Sequence, residues 1–135
     1  EEIYKSVSAA NGIERRDISD EEIIDRCILA LVNEGADIIE EGVGQRAADL
    51  DVVYINGYGF PIWRGGPMHH ANAMGMGQVL NKLNKYYEIT KSDTFKPASL
   101  IKKLAEIDGK FGDAPAKEDR KEKLSFSESS VAGNL

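Results

Sequence analysis

Few side chains in this chain are of a type and spacing that could do chemistry. His69 and His70 are the only histidines, and they are adjacent. On a helix, neighbours point about 100° apart, so the pair cannot converge on one metal as residues four apart can. A catalytic histidine also needs a carboxylate partner, and the sequence places none beside them. Asp49 and Asp51 have the look of a general acid and base, but each has a structural reading. Asp49 suits the first turn of a helix, where the dipole favours a carboxylate, and Asp51 suits bonding to the backbone of the turn that follows. Arg15, Arg16 and Arg64 could meet phosphates, although isolated arginines more commonly pair with nearby acids. Cys27 is the single cysteine, which excludes an internal disulfide and fits a reducing compartment. Its neighbours Ile23, Ile24, Ile28 and Leu31 predict a small buried core residue and not a reactive thiol. Asn33 and Glu34 fall at the edge of that apolar face. Both are expected to be buried polar groups, with Glu34 closing the open N–H groups of a neighbouring loop. No catalytic residue and no metal site is therefore assigned within the chain.

The elements that must hold these residues are helical. Ser19 followed by Glu22 is a capping box, and Ile18 with Ile23 forms the matching hydrophobic staple. This predicts a helix from Asp20 to about Glu41, stopped at Gly42. Ile23, Ile24, Cys27, Ile28, Leu31, Val32, Gly35, Ile38 and Ile39 cover about half its circumference, more than the stripe of just over 100° that one neighbour requires. A helix is predicted over roughly 47–56, a short one over Pro67–Met74, a longer one over Gly77–Glu88, and a last one from Pro97 carrying Leu100, Ile101, Leu104 and Ile107. Thr90–Lys96 reads as a loop. Residues 1–17 form a polar lead-in with a turn at Asn11-Gly12. The segment 109–135 reads as a mobile tail, most clearly over Lys117–Leu135. The expected fold is all-α, a single domain of four to five helices over 18–108.

The most distinctive stretch runs from Asp51 through Asn56-Gly57-Tyr58-Gly59-Phe60-Pro61 and Trp63-Arg64 to Gly65-Gly66-Pro67. Glycines supply positive φ or close approach, while Pro fixes φ and suits the first position of a helix. The stretch predicts a tight corner between two helices, with Tyr58, Phe60 and Trp63 filling the elbow. No glycine pair stands in the Gly-x-Gly-x-x-Gly context after a strand, so no dinucleotide-binding unit is expected here.

This corner resembles that of the C-terminal helical domain of the multifunctional fatty-acid β-oxidation enzymes, of the 3-hydroxyacyl-CoA dehydrogenase and enoyl-CoA hydratase family. The resemblance begins near Arg15-Arg16 and Ser19–Glu22. It continues through Leu31-Val32-Asn33-Glu34 and Glu40-Glu41-Gly42, and through the corner to Tyr86-Tyr87 and about Leu104. It implies a 3-hydroxyacyl-CoA dehydrogenase C-terminal-domain-like fold that duplicates the preceding helical domain and packs against it. It implies a parent that oxidises L-3-hydroxyacyl-CoA with NAD bound outside this chain, together with hydratase activity. The catalytic His–Glu pair of that family lies in the nicotinamide-binding domain, so neither His69 nor His70 is part of it. Asn56 takes a position at the acyl-chain rim where some bacterial members carry tyrosine. The family's Asn-Glu-Ala becomes Asn33-Glu34-Gly35 here.

The role expected of this chain is support for the substrate domain, without catalysis of its own. Its expected partners are the preceding dehydrogenase domains, the parent's fatty acyl-CoA substrate and, through the wide apolar face of the first predicted helix, a weak homodimer. A free-standing helical interaction module without enzyme activity is the alternative, and a small acyl-CoA-binding protein is a third reading. The net charge of −6 disfavours the last, and it disfavours nucleic acid and anionic membrane as well. No apolar run approaches the roughly 20 residues that span a bilayer. The first residue is Glu1, which predicts a piece of a longer protein. The terminal Gly133-Asn134-Leu135 differs from Ser-Lys-Leu, which favours a bacterial cytoplasm over a peroxisome.

Overall fold

A computed structural model describes residues 2–113; of the tail expected over 109–135, the part over Lys117–Leu135 lies outside them. Phe111, by contrast, is buried in the core with its N–H donated to Asn72 Oδ1 at 2.9 Å, so the domain runs past 108. Among the described residues there are six α-helices, joined by short 3-10 turns, and no strand. They are α1 (Glu2–Ala10), α2 (Asp20–Glu40), α3 (Ala47–Gly57), α4 (Pro67–Met74), α5 (Met76–Thr90) and α6 (Ser99–Glu106). The all-α class is as read from sequence, with one helix more than the upper count. The extra one is α1, which forms within the polar lead-in yet buries none of its residues.

α2 starts where the capping box placed it: the Glu22 N–H donates to Ser19 Oγ at 3.2 Å. The Glu22 carboxylate does not reach back to Ser19; it takes Arg16 as a bidentate partner and lies 3.6 Å from Arg26. Gly42 ends the helix at φ 76°, a conformation that costs glycine little.

The core lies among α2, α4, α5 and α6. Leu29, Val32 and Ala36 of α2 meet Met68 and Ala71 of α4, Met76, Val79, Leu83 and Tyr86 of α5, and Ile101 and Leu104 of α6. Gly35 allows one close approach, because a Cβ there would stand 2.6 Å from Met68 Sδ. The buried arc of α2 is Asp25, Leu29, Val32, Asn33, Gly35 and Ala36. This overturns part of the expected packing. Cys27, read as a buried core residue, is exposed, and Ile23 and Ile24 are about half exposed. The apolar face counted from sequence extends well past the core-facing arc, and its outer part is Ile24, Cys27 and Leu31.

Two polar residues replace apolar ones in the buried arc, and both are fully partnered. Asp25 accepts from Lys82 Nζ at 2.5 Å and from the Tyr86 hydroxyl at 3.0 Å, tying α2 to α5. Burial, and then the bond to Asp25, push the Tyr86 phenol up to about 12. The Asp25 bond likewise raises Lys82 above its ordinary value. Both groups hold their protons more tightly folded than unfolded, so their contribution is complete below the unfolded values. It is lost as pH rises through the folded ones. Stability is therefore expected to decline from pH 10 towards about 12. Alkaline unfolding followed by far-UV circular dichroism checks this, and Tyr86→Phe should flatten the decline.

Candidate functional site

The corner between α3 and α4 is built around one carboxylate. Asp51, buried in the second turn of α3, accepts from the backbone N–H of Met68 at 2.7 Å and of His69 at 3.1 Å. These are first-turn donors of α4, which the helix itself leaves unpaired. Gly66 stands at the N-cap position with no side chain to offer them, and Pro67 fills the first helical position. Asp51 thus caps a helix that starts 16 residues later than itself. Burial raises the Asp51 carboxyl, and the bonds from Met68 and His69 oppose that rise. Its folded value lies above the unfolded one, so protonation does not release the corner on the acid side; the ionised form is the costlier one to bury.

Three glycines carry the turn in the left-handed region: Gly59 at φ 72°, Gly65 at 75° and Gly66 at 99°. Gly57 is the last residue of α3 and is helical. Around Gly59 and Gly57 a Cβ would meet nothing within 4 Å, whereas at Gly65 it would strike the His69 ring at 2.5 Å. At Gly66 it would fall 2.3 Å from Asp51 Oδ1.

The aromatic residues do not fill the elbow. Tyr58 and Trp63 are each 77% exposed, and only Phe60 is half-buried. The Asp51 side chain lies against Gly66 on the inner side of the turn, and the Tyr58 and Trp63 rings stay on its outer surface. Tyr58 tilts against Tyr54 at 5.4 Å between centroids, and the Arg64 guanidinium lies 4.5 Å from the Trp63 ring. Pro61 is exposed, and Pro67 is buried. Asn56 is exposed, with its side-chain N–H donated back to Val52 O at 2.8 Å.

A second buried polar centre lies on α2. Asn33 donates to Thr94 O at 3.1 Å and to Lys96 O at 2.9 Å, and accepts from the Ala98 N–H at 2.9 Å. It fastens the α5–α6 connection to the middle of α2. Glu34, expected to be buried and to do this work, is exposed. The two residues are 100° apart on the helix, and the narrower amide, which both donates and accepts, faces the loop.

The remaining candidates are spent on local structure. Asp49 pairs with Arg46 at 2.7 Å, and Arg16 pairs with Glu22. His69 is exposed; His70 is half-buried, and burial and then Arg64 lower its affinity for a proton. Among the described residues no group of three His, Cys, Asp or Glu is arranged to hold a metal ion. A dinucleotide does not fit them either: the pyrophosphate cradle needs a strand leading through glycines into a helix N-terminus. Here α4's N-terminus is already filled by the Asp51 carboxylate.

The family model described as the 3-hydroxyacyl-CoA dehydrogenase C-terminal domain matches residues 23–118. The chain belongs to this family. It is similar to the peroxisomal bifunctional enzyme of Danio rerio, 45% identical over 95 residues that make up 69% of this chain and 13% of that protein. The peroxisomal bifunctional enzyme of Homo sapiens is 42% identical over 107 residues, 78% of this chain and 14% of the relative. The fatty acid oxidation complex subunit alpha of Acinetobacter baylyi is 32% identical over 108 residues, 80% and 15%. This chain thus spans no more than 15% of the length of these relatives. The family match begins three residues inside α2 and leaves α1 outside it. The corner from Asp51 to Pro67 and the Asn33 clamp both lie within it.

Proposed function

We propose that this chain is the non-catalytic helical C-terminal domain of an NAD-dependent 3-hydroxyacyl-CoA dehydrogenase of fatty-acid β-oxidation, fused in its parent to an enoyl-CoA hydratase. The observation that carries this reading is the use made of its polar side chains. Asp51, Asn33 and Asp25 each bond the chain to itself, and what faces outward is an apolar surface. That division is what a supporting domain needs: a rigid interior and a surface for a neighbour. The Ile24, Cys27 and Leu31 face of α2 is assigned to the preceding helical domain of the parent. Asn56, at the exposed end of α3 beside the corner, is assigned to the rim of the acyl-CoA cleft, with NAD held in an upstream domain. The names of the relatives divide between peroxisomal enzymes and bacterial complexes, and a bacterial cytoplasm remains the proposed setting.

Without its neighbour, the same face supports a weak two-fold homodimer at high concentration. The purified chain is expected to give no NADH from a 3-hydroxyacyl-CoA with NAD, and no hydration of an enoyl-CoA. Adding it to the separately expressed upstream dehydrogenase segment should raise that segment's melting temperature. Turnover proportional to the amount of this chain, or no effect on the upstream segment, would overturn the reading.

A further inference from the structure

α1 is a formed helix that the rest of the described chain does not hold. Ile3, Tyr4 and Val7 share one stripe and are 76%, 71% and 53% exposed, with Glu2 and Lys5 on the opposite side. The helix ends in a complete turn: Gly12 stands at φ 64°, and the Ile13 N–H bonds to Ser8 O at 2.9 Å. Its hydroxyls turn back on their own backbone, Ser6 to Ile3 O at 2.9 Å and Ser8 to Tyr4 O at 2.8 Å. What α1 offers outward is therefore its apolar stripe. Segment 11–19, which joins it to α2, is exposed throughout, and its ties to the body, from Arg16 and Ser19, go to Glu22 in the first turn of α2. With nine residues, α1 is shorter than the roughly 12–15 that an isolated helix needs to be even marginal in water. Such a helix needs a surface to lie on, and α1 stands clear of the one its own domain presents.

We infer that α1 is a docking helix: it seats Ile3, Tyr4 and Val7 in an apolar groove of the domain that precedes this chain in its parent. This rests on the functional reading above, which supplies that domain. It adds a second point of contact to the α2 face already assigned there.

Place in the sequence, concentration and charge favour this occupant over a second copy of the chain. The matched family is a C-terminal domain and its match starts at residue 23, so α1 stands between that domain and what precedes it. The chain spans no more than 15% of the length of its relatives, so most of such a parent lies on the α1 side. A groove there is joined to α1 through the backbone, and a short link sets an effective concentration on the order of millimolar. A second copy at micromolar concentration lacks that advantage and brings a further net charge of −6. Spacing sets the mode of contact. Ile3 and Val7 are four apart and Tyr4 and Val7 three apart, the anchor pattern of an amphipathic helix lying in a groove.

Hydrogen exchange of the full-length parent, read by peptide against the separate chain, tests this. Amides of α1 should exchange at least tenfold more slowly in the parent than in the chain alone. In the parent, Val7→Asp, on the stripe, should return α1 to the fast rate, whereas Lys5→Asp, on the opposite side, should leave it protected. Both variants put the same poor helix former into α1, so a difference between them reports the contact and not the helix propensity. Fast exchange of α1 in the parent, or equal effects of the two variants, would overturn the docking helix. Alkylation of Cys27 in the same samples reads the α2 face independently. Cys27 shielded in the parent beside an unprotected α1 would sink the docking helix and keep the packing role. A protected α1 beside a freely labelled Cys27 would do the reverse.

Discussion

Gly66→Ala is expected to cost this chain about 3–5 kcal/mol, combining backbone strain with lost capping bonds. The added Cβ would lie 2.3–2.5 Å from three Asp51 side-chain atoms, and φ at this residue is 99°. Strain of that kind costs on the order of 1–3 kcal/mol by itself. Displacing Asp51 would open its bonds from the Met68 and His69 N–H groups, and a buried donor left open costs about 1–3 kcal/mol. The control is Gly59→Ala, where φ is 72° but a Cβ meets nothing within 4 Å. Strain alone applies there, so a loss near the lower end of the same range is expected. Urea midpoints at matched slopes separate the two variants. Equal losses would mean that the Asp51 contact does not constrain the corner.

Asn33→Ala is expected to cost about 2–4 kcal/mol, since it opens a cavity and leaves three backbone groups without their partner. The connection between α5 and α6 should then loosen, and trypsin should cut faster after Lys91, the bond after Lys96 being blocked by Pro97. Asn33→Asp carries a more diagnostic signature. Its carboxylate still accepts from the Ala98 N–H but faces the Thr94 and Lys96 carbonyls with no proton to give. The folded state therefore disfavours the charged form, which raises the folded carboxyl above its unfolded value. Stability should recover as pH falls into the acidic range and be lost as pH rises. A variant whose stability is flat with pH would show that the loop has turned away from position 33.

Much of this architecture was legible in the residues. The capping Ser19, Pro67 at a helix start, and the glycines after Asn56 are local signals, and local signals survive into the fold. Asp51 was readable as a backbone ligand through the resemblance, in which it is a hallmark of the glycine corner. What could not be read was which arc of α2 faces inward. Period counting follows apolar residues, and α2 breaks that rule twice, burying Asp25 and Asn33 while exposing Ile24 and Cys27. Their partners, Lys82 and Tyr86 in one case and the 94–98 backbone in the other, stand about 60 residues away, beyond any window of periodicity. The outward aromatics at Tyr58 and Trp63 escaped for a related reason: an apolar ring does not announce whether it meets its own domain or another. The role given to Glu34 belonged one position earlier, an error of a single helical step. α1 was missed because its polar surroundings hid a stripe of only three apolar side chains.

The remote cap also bears on how this sequence can drift. Position 66 cannot take on a capping side chain while Asp51 occupies that volume, and position 51 cannot give up its carboxylate while position 66 has nothing to replace it. A Ser or Asp at 66 would relieve the need for Asp51 only after Asp51 had gone. Either first step passes through a chain with a damaged corner. The two sites are thus locked as a pair, and a lineage can exchange one capping arrangement for the other only with stability to spare at the moment of crossing.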